Sequence, residues 1–232
     1  GCLVVEHLLS DEEIAIFLAH EESPQEKPRL GLRTHVVDCQ WKALAHHPAI
    51  TGVVEQLLRG MPRILQSMYL PKMAGENSSD IAFHQDTHYR PNTPPTLMAA
   101  WIALSDTGED NGGLCVVPGS HREELRQTHK TSGEEHISWT HQHLMRDPEG
   151  KEWSEKFHSF EINNLDLATL KKLSVPKGGI AFFTGMTIHG SYANRSSSSS
   201  RLAFATHYVR DGTWVYRADV QETIPVQSPR TQ

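Results

Sequence analysis

A change of pattern after Gly60 is the feature that most constrains the fold of this chain. Beyond it, apolar stretches become short, and clusters of Gly, Pro, Asn and Asp separate them. Many short strands with frequent turn signals are typical of an all-β sandwich or jelly roll. The predicted strands cover residues 63–70, 81–84, 97–104, 114–117, 179–183, 187–189 and 201–209.

The first sixty residues have a different pattern, which predicts one strand and three helices. The strand covers residues 2–5, and Ser10 followed by Glu13 forms a capping-box pattern at the start of the first helix. Two further helices are predicted at residues 41–46 and 48–58, the last with Pro at its first turn, and a charged loop at residues 21–29. We therefore expect a mainly β fold with flanking helices.

Three later segments break the strand pattern. Residues 123–161 are polar and lack sustained periodicity, which predicts an insertion between strands that acts as a lid. A short helix is predicted at residues 165–173, and the five serines of 196–200 predict a flexible turn. Since no linker is long enough to divide the chain, we expect residues 1–232 to form a single domain.

Charge and composition narrow the class of protein. The 22 basic and 28 acidic residues of the 232-residue chain give a net charge of −6, which argues against binding to a nucleic-acid backbone. The apolar runs are too short to cross a bilayer. Three widely spaced cysteines predict neither a disulfide framework nor a zinc knuckle, and favour a reducing, cytoplasmic location.

The chain contains 15 histidines, and one of them begins a His-x-Asp pattern, His84-Gln85-Asp86. In an extended segment His84 and Asp86 point to the same side, so both side chains could bind one ion. A second histidine would complete the two-histidine, one-carboxylate triad of non-haem iron oxygenases. His189 is the best candidate because it follows a predicted apolar strand.

The spacing alone is weak evidence, because a surface His and Asp at a strand end would show the same pattern. His-x-Glu patterns at His20 and His121 compete with it, and His141 and His143 have the His-x-His spacing of some metal-binding barrels. We expect most of the remaining histidines to be solvated.

The strand at residues 201–209 carries a second candidate site. Arg201, Ala203, Ala205 and His207 share one face of this strand, and the two alanines leave space beside the arginine. A guanidinium that faces a cavity needs an anion, and its planar shape matches a carboxylate. A surface arginine on an edge strand is the alternative interpretation.

Taken in order, these motifs resemble the phytanoyl-CoA dioxygenase family of iron(II)- and 2-oxoglutarate-dependent oxygenases. The resemblance extends from about residue 63 to residue 209. Its motifs are His84-Gln-Asp86, the block from Trp101 through Asn111-Gly-Gly-Leu to Pro118-Gly-Ser-His121, His189-Gly-Ser191 and Arg201. It implies a double-stranded β-helix, a cupin-like jelly-roll barrel with the metal at one open end.

The resemblance also implies the roles of individual residues. His84, Asp86 and His189 would bind Fe(II), and Arg201 would bind the distal carboxylate of 2-oxoglutarate. The residues implied to line the cosubstrate pocket are Met68, Gln85, Trp101 and Ser191. The turn at Pro118-Gly-Ser-His121 is implied to be structural, which argues against a metal site at His121.

Two departures from the family pattern leave alternatives open. The serine run lengthens the interval between His189 and Arg201, so Arg195 is a rival for the cosubstrate. A basic residue nearer the N-terminus that often touches the cosubstrate has no clear match, and Arg33 and Lys42 are its candidates.

The family resemblance predicts hydroxylation of a small organic substrate with O2 and 2-oxoglutarate, with release of succinate and CO2. A related halogenase is one alternative, although Asp86 argues against it because a small residue replaces that ligand in such enzymes. A cupin-like metal-dependent isomerase or a non-catalytic binding module is the other alternative.

The expected substrate entrance is formed by residues 87–90 and the insertion. Arg90 is expected either to be solvated at the surface or to pair with an acidic group of the substrate.

Overall fold

The computed structural model of the chain describes residues 1–22, 33–75, 78, 80–132 and 138–226. Its helices are α1 (Asp11–Glu22), α2 (Thr34–Val37), α3 (Cys39–Ala45) and α4 (Pro48–Leu58). Its strands are β1 (Cys2–Val5), β2 (Pro62–Lys72), β3 (Ile81–His84), β4 (Asn92–Thr93), β5 (Met98–Ala103), β6 (Leu114–Val116), β7 (Thr128–Lys130), β8 (Thr140–Arg146), β9 (Glu152–His158), β10 (Phe160–Ile162), β11 (Lys171–Lys172), β12 (Ile180–Thr184), β13 (His189–Ser191), β14 (Arg201–Arg210), β15 (Trp214–Val215) and β16 (Ile224–Pro225).

Two antiparallel sheets form the body of the molecule. The larger has the strand order β1-β12-β5-β14-β2-β16, and the smaller has the order β11-β6-β13-β3. Neighbours in both sheets are far apart in the sequence, as in a double-stranded β-helix. The prediction of a mainly β jelly roll with flanking helices is confirmed.

Alternation along the central strands separates two cores. On β5, Ala100 and Ile102 face the helices, whereas Ala99, Trp101 and Ala103 face the interior between the sheets. Trp41 of α3 packs on the helix side, where its ring stacks on Phe204 with centroids 4.7 Å apart. The N-terminal helices thus cover the outer face of the larger sheet and leave its inner face to the site.

The capping predicted for α1 is present in the structure. The Glu13 amide donates to the Ser10 hydroxyl at 3.2 Å, and the Ser10 amide donates to the Glu13 carboxylate at 2.8 Å. Most of the loop predicted at residues 21–29 lies outside the described residues, and its first two residues belong to α1.

The predictions for the two irregular regions differ in outcome: the helix at residues 165–173 is wrong, whereas the lid at residues 123–161 stays a prediction. The insertion contains the hairpin β8–β9 and the pair β7–β10. The helix predicted at residues 165–173 is only a 3₁₀ turn, Leu167–Thr169, followed by β11. Asp166 explains the short turn, because its carboxylate accepts the Ala168 amide and closes the turn locally.

Within the part of the chain that the structure describes, no helix combines the length and the apolar character needed to span a membrane.

Candidate metal and anion site

Two strands of the smaller sheet bring the predicted metal ligands together. His84 ends β3 and lies directly opposite His189, the first residue of β13, and Asp86 begins the 3₁₀ turn that follows β3. All three side chains are buried, and their ligand atoms lie within 4.8 Å of one another. Among the described residues, this is the one group of His, Cys, Asp or Glu side chains with a geometry that could hold a metal ion.

Main-chain hydrogen bonds fix the tautomer of both imidazoles. The Nδ1–H of His84 donates to the Ala82 carbonyl at 2.7 Å, and that of His189 donates to the Thr187 carbonyl at 3.0 Å. Because a carbonyl can only accept, each Nε2 keeps its lone pair. Both Nε2 atoms face the Asp86 carboxylate, at 3.7 Å from His84 and 3.8 Å from His189.

Three further side chains hold the Asp86 carboxylate in place. Arg90 donates from Nη1 to Oδ1 at 3.1 Å, and His207 donates from Nε2 to Oδ2 at 2.9 Å. Gln66 in turn accepts the Nε–H of Arg90 at 2.6 Å. His207, which shares a strand face with Arg201, therefore lies beside Asp86, and the carboxylate is oriented from both sides.

The electrostatics of the trio favour metal ligation. Burial opposes the charge on Asp86, but the neighbouring His207, His189 and His84 outweigh it and hold the pKa of the Asp86 carboxyl well below its usual range. Burial, together with the nearby His84, lowers the pKa of His189 to about 4. An ionised carboxylate and a neutral imidazole are the forms that bind a divalent metal.

Arg201 lies in the interior on the larger sheet and is only 3% exposed. Its Nη1 donates to the Leu70 carbonyl at 2.8 Å, and its guanidinium carbon lies 5.7 Å from the centre of the Trp101 ring. Its Nε has no hydrogen-bond partner among the described residues. Arg195, the rival arginine, is exposed on a loop. Of the two candidate arginines, Arg201 is thus the buried one with an unused donor.

Burial of Arg201 also affects its own ionisation. The loss of solvent lowers the pKa of its guanidinium to about 10, while Tyr69 acts in the opposite direction. The group is therefore still cationic at neutral pH, and a bound anion would replace the solvent it has lost.

The other predicted pocket residues differ in their surroundings. Trp101 belongs to the interior cluster, the partly buried Met68 packs against it, and Ser191 is two residues beyond His189 on the same strand. The Gln85 amide is occupied by main chain, since it donates to the Met186 carbonyl and accepts the Arg126 amide. A cosubstrate contact by Gln85 stays a prediction.

Several secondary candidates lie away from this site. Arg33 donates to the carbonyls of Asp219 and Glu222, and Lys42 is exposed on α3, so neither reaches the interior. His141 and His143 belong to β8 and form no metal-capable cluster within the described residues.

The expectation for Arg90 is wrong in both of its forms. Its side chain is neither solvated nor free for a substrate, because it is 4% exposed and paired with Asp86 four residues earlier. The turn after His84 directs the arginine back under the carboxylate instead of into the entrance.

Sequence reasoning missed Lys72, which is buried at the end of β2. Its Nζ donates to the Ser191 hydroxyl at 3.0 Å and to the Tyr192 carbonyl. The signal was available, since Lys72 follows Gln66, Met68 and Leu70 at every second position on the inward face of one strand.

The insertion packs beside the metal-ligand trio. Tyr89 contacts the His84 ring edge to face at 5.3 Å, and its hydroxyl accepts the Phe160 amide at 2.7 Å. The rings of Phe160 and Trp139 lie 4.9 and 5.8 Å from that of Tyr89. Aromatic side chains thus connect the site with the segments on either side of the β8–β9 hairpin.

Comparison with known sequences points to one family. The family model described as phytanoyl-CoA dioxygenase (PhyH) matches residues 5–203. The phytanoyl-CoA dioxygenase domain-containing protein 1 of Danio rerio is 28% identical over 193 residues, which are 81% of this chain and 59% of that protein. Phytanoyl-CoA dioxygenase 1 of Oryza sativa subsp. japonica is 26% identical, over 86% of this chain and 64% of that protein. The chain thus spans about three fifths of the length of these relatives.

Solved structures share the fold at low sequence identity. The epimerase SnoN, solved with Fe3+, alpha ketoglutarate and nogalamycin RO, superposes with a TM-score of 0.71 at 21% identity, covering 99% of this chain and 92% of that one. EvdO2 from Micromonospora carbonacea var. aurantiaca, solved with 2-oxoglutarate, superposes with a TM-score of 0.69 at 14% identity, covering 96% and 90%. The carbocyclase SnoK gives 0.66 at 22% identity, covering 100% and 90%.

Proposed function

Since the chain belongs to the phytanoyl-CoA dioxygenase family, we propose that it is an iron(II)- and 2-oxoglutarate-dependent oxygenase that hydroxylates a small organic substrate. The observation that carries the proposal is the convergence of His84, Asp86 and His189 in one buried trio, with Arg201 buried in the same interior. Such a reaction consumes O2 and releases succinate and CO2. Arg201 lies on the larger sheet and the two histidines lie on the smaller one. A dicarboxylate bound between the sheets could therefore contact both the arginine and a metal held by the trio.

The donor set fits Fe(II). Two neutral imidazoles and one carboxylate are the ligands of the facial triad of non-haem iron sites, which keeps positions open for other ligands. The iron and 2-oxoglutarate, when bound, supply the oxidising chemistry, while the protein supplies orientation and exclusion of water. His84, Asp86 and His189 would hold the metal.

The surrounding residues prepare the trio for that task. Arg90 and His207 orient Asp86 through charged or polar hydrogen bonds, which is the usual role of groups behind metal ligands. The two main-chain carbonyls keep the lone pairs of His84 and His189 available to the metal. These contacts pre-organise the site without a bound ion.

Arg201 would bind the distal carboxylate of 2-oxoglutarate. Its unpaired Nε and its buried charge are suited to a carboxylate, and Trp101 supports the flat guanidinium face. Met68 and Ser191 are proposed to line the same pocket.

The prime substrate would enter beside Tyr89, where the insertion meets the site. Tyr89, Phe160 and Trp139 present aromatic surface next to His84. Burial of Arg90 removes the charge that we expected there, so the entrance is more apolar than the sequence indicates. We place substrate specificity in these aromatic residues and in the rest of the insertion.

Stereochemical inversion or ring closure is a second outcome of the same chemistry. The structural neighbours include an epimerase and a carbocyclase of nogalamycin biosynthesis. A halogenase is disfavoured because Asp86 supplies the carboxylate ligand. The free Cys2, Cys39 and Cys115 support a location in a reducing compartment such as the cytoplasm.

The test measures succinate released from 2-oxoglutarate with Fe(II) and ascorbate across a panel of candidate substrates. We expect one substrate class to stimulate succinate release and to gain one oxygen atom by mass spectrometry. Inversion or ring closure would leave the product without that oxygen. If the protein binds neither Fe(II) nor 2-oxoglutarate, the proposal is wrong. A non-catalytic binding module would give that result.

A further inference from the structure

Lys72 and Arg201 are two buried basic side chains on neighbouring strands. They are direct partners in the register of β2 and β14, and they are 5% and 3% exposed. Like charges opposite each other in a sheet destabilise it, and burial increases the cost. Within the described residues, neither side chain forms an ion pair with a carboxylate at 4.0 Å or less. The two basic side chains therefore favour an anionic ligand at this end of the interior.

Lys72 fixes the direction of the Ser191 hydroxyl. Its Nζ lies 3.0 Å from Ser191 Oγ and also donates to the carbonyls of Ser191 and Tyr192. When Lys72 is protonated its ammonium group only donates hydrogen bonds, so Ser191 Oγ must then accept. The proton of the hydroxyl then points away from Lys72 and is free to be donated to another acceptor.

The surrounding backbone is built to admit the lysine. Gly112 has a φ of +79°, and a Cβ at that position would lie 3.0 Å from Lys72 Cδ and 2.8 Å from the Tyr192 carbonyl oxygen. The side-chain Nδ2 of Asn194 donates to the Lys72 carbonyl at 2.9 Å. Side chain and main chain of Lys72 thus tie the segment after β13 to the end of β2.

From this geometry we propose that Lys72 is a positioning residue of the anion pocket. It turns the Ser191 hydroxyl into a donor aimed at the distal carboxylate of a bound dicarboxylate, and it adds its positive charge to that of Arg201. The inference rests on the proposed function, because the dicarboxylate is 2-oxoglutarate.

The charge of Lys72 and the bound anion should be coupled. Burial and the nearby Arg201 lower the pKa of Lys72 to about 7, while Asp80 and Cys115 act in the opposite direction. A carboxylate that arrives next to the ammonium raises this pKa, so binding takes up a proton when the pH is above about 7. Affinity for the anion should then fall as the pH rises.

A double-mutant cycle tests the pairing of Lys72 with Ser191. Calorimetry measures the binding of 2-oxoglutarate to the full chain loaded with Mn(II), for Lys72→Met, Ser191→Ala and the double variant. We expect each single change to weaken binding about tenfold, in line with one hydrogen bond to a charged group. The double variant should bind about as weakly as Lys72→Met alone, because Lys72→Met already removes the oriented Ser191 contact as well as the charge. Losses that multiply to about a hundredfold would overturn the inference.

The controls separate a positioning role from a purely structural one. Lys151→Met, which removes an exposed lysine, should bind 2-oxoglutarate like the unmodified protein. If Lys72→Met does not fold by circular dichroism, Lys72→Gln takes its place in the cycle, since its amide can still donate but carries no charge. Between pH 7 and 9, the unmodified protein should lose more affinity than the Lys72 variant. Equal pH profiles would contradict the inference.

The same titrations distinguish this inference from the proposed function. If the unmodified protein does not bind 2-oxoglutarate, the proposed function is wrong and this inference with it. If Arg201→Met weakens binding and Lys72→Met does not, the proposed function stands and the role of Lys72 is wrong.

Discussion

Replacement of Arg90 by Met should destabilise the protein more than the loss of an exposed ion pair would. Arg90 is joined to Asp86 at 3.1 Å, and both side chains are 5% exposed. The same guanidinium donates to Gln66 at 2.6 Å. Met has similar bulk but no charge, so the variant removes both hydrogen bonds and leaves packing largely intact.

The size of the effect follows from the groups left behind. Removing one member of a buried ion pair costs about 3–5 kcal/mol, because the remaining charge is buried without compensation. Because His207 still donates to Asp86, the expected loss in the free energy of unfolding is about 3 kcal/mol, at the low end of this range. For a chain of this length each kcal/mol corresponds to about 2–4 °C, so the melting temperature should fall by about 6–12 °C.

Thermal unfolding of the metal-free protein is the assay, with Arg126→Met as the matched control. Arg126 forms a local pair with Glu123, but these side chains are 46% and 48% exposed, so solvent screening reduces the contribution to about 0–1 kcal/mol. In a second measurement, Mn(II) affinity should fall about 10–100-fold in Arg90→Met, because Asp86 loses an orienting partner. Equal melting temperatures for the two variants would refute the reasoning.

Three further predictions test other parts of the molecule. Arg201→Met should weaken 2-oxoglutarate binding by about 1.5–3 kcal/mol in calorimetry and leave Mn(II) affinity unchanged, whereas the same result for Arg195→Met alone would identify the other arginine. Burial, with nearby positive charges, lowers the pKa of His35 to about 4. Its neutral form therefore stabilises the fold fully above pH 6.5, and this contribution is lost as the pH falls towards 4. In urea unfolding between pH 6.5 and 4, the free energy of unfolding of His35→Gln should fall less than that of the unmodified protein. An equal fall in both proteins would contradict the attribution of this pH dependence to His35. Trp41→Ala should cost about 3–5 kcal/mol in the same assay without changing Mn(II) affinity, and a loss below about 1 kcal/mol would contradict the stacked core.

The sequence predicts those parts of the fold that depend on local pattern. Strands β3 and β14 begin at the predicted residues, and α4 has the predicted bounds, because alternation, capping and turn residues are local signals. The trio of His84, Asp86 and His189 was predicted from motif order and family resemblance. Its geometry, with the two histidines facing each other across paired strands, required the fold.

What the sequence did not predict depends on contacts between distant segments. The β8–β9 hairpin has mostly exposed strands, so no burial pattern marks it in the sequence. Arg90 resembled an entrance residue because its neighbours in the sequence are polar, but a partner on β2, Gln66, and the carboxylate of Asp86 hold it inside. Lys72 reaches Ser191 across 119 positions of the chain.

Two alanines of β14 lie between the proposed anion-binding arginine and a residue that contacts Asp86. Ala203 and Ala205 are buried between Arg201 and His207 on the inward face. Trp101 is the register partner of Ala205, and the Arg201 guanidinium lies over its ring. The guanidinium therefore lies beside the aromatic side chain of the residue paired with Ala205. Small side chains at both positions keep the inward face of β14 free of bulk beside Arg201, so one strand carries the proposed anion-binding arginine and, through His207, an orienting contact for the Asp86 carboxylate of the candidate metal site.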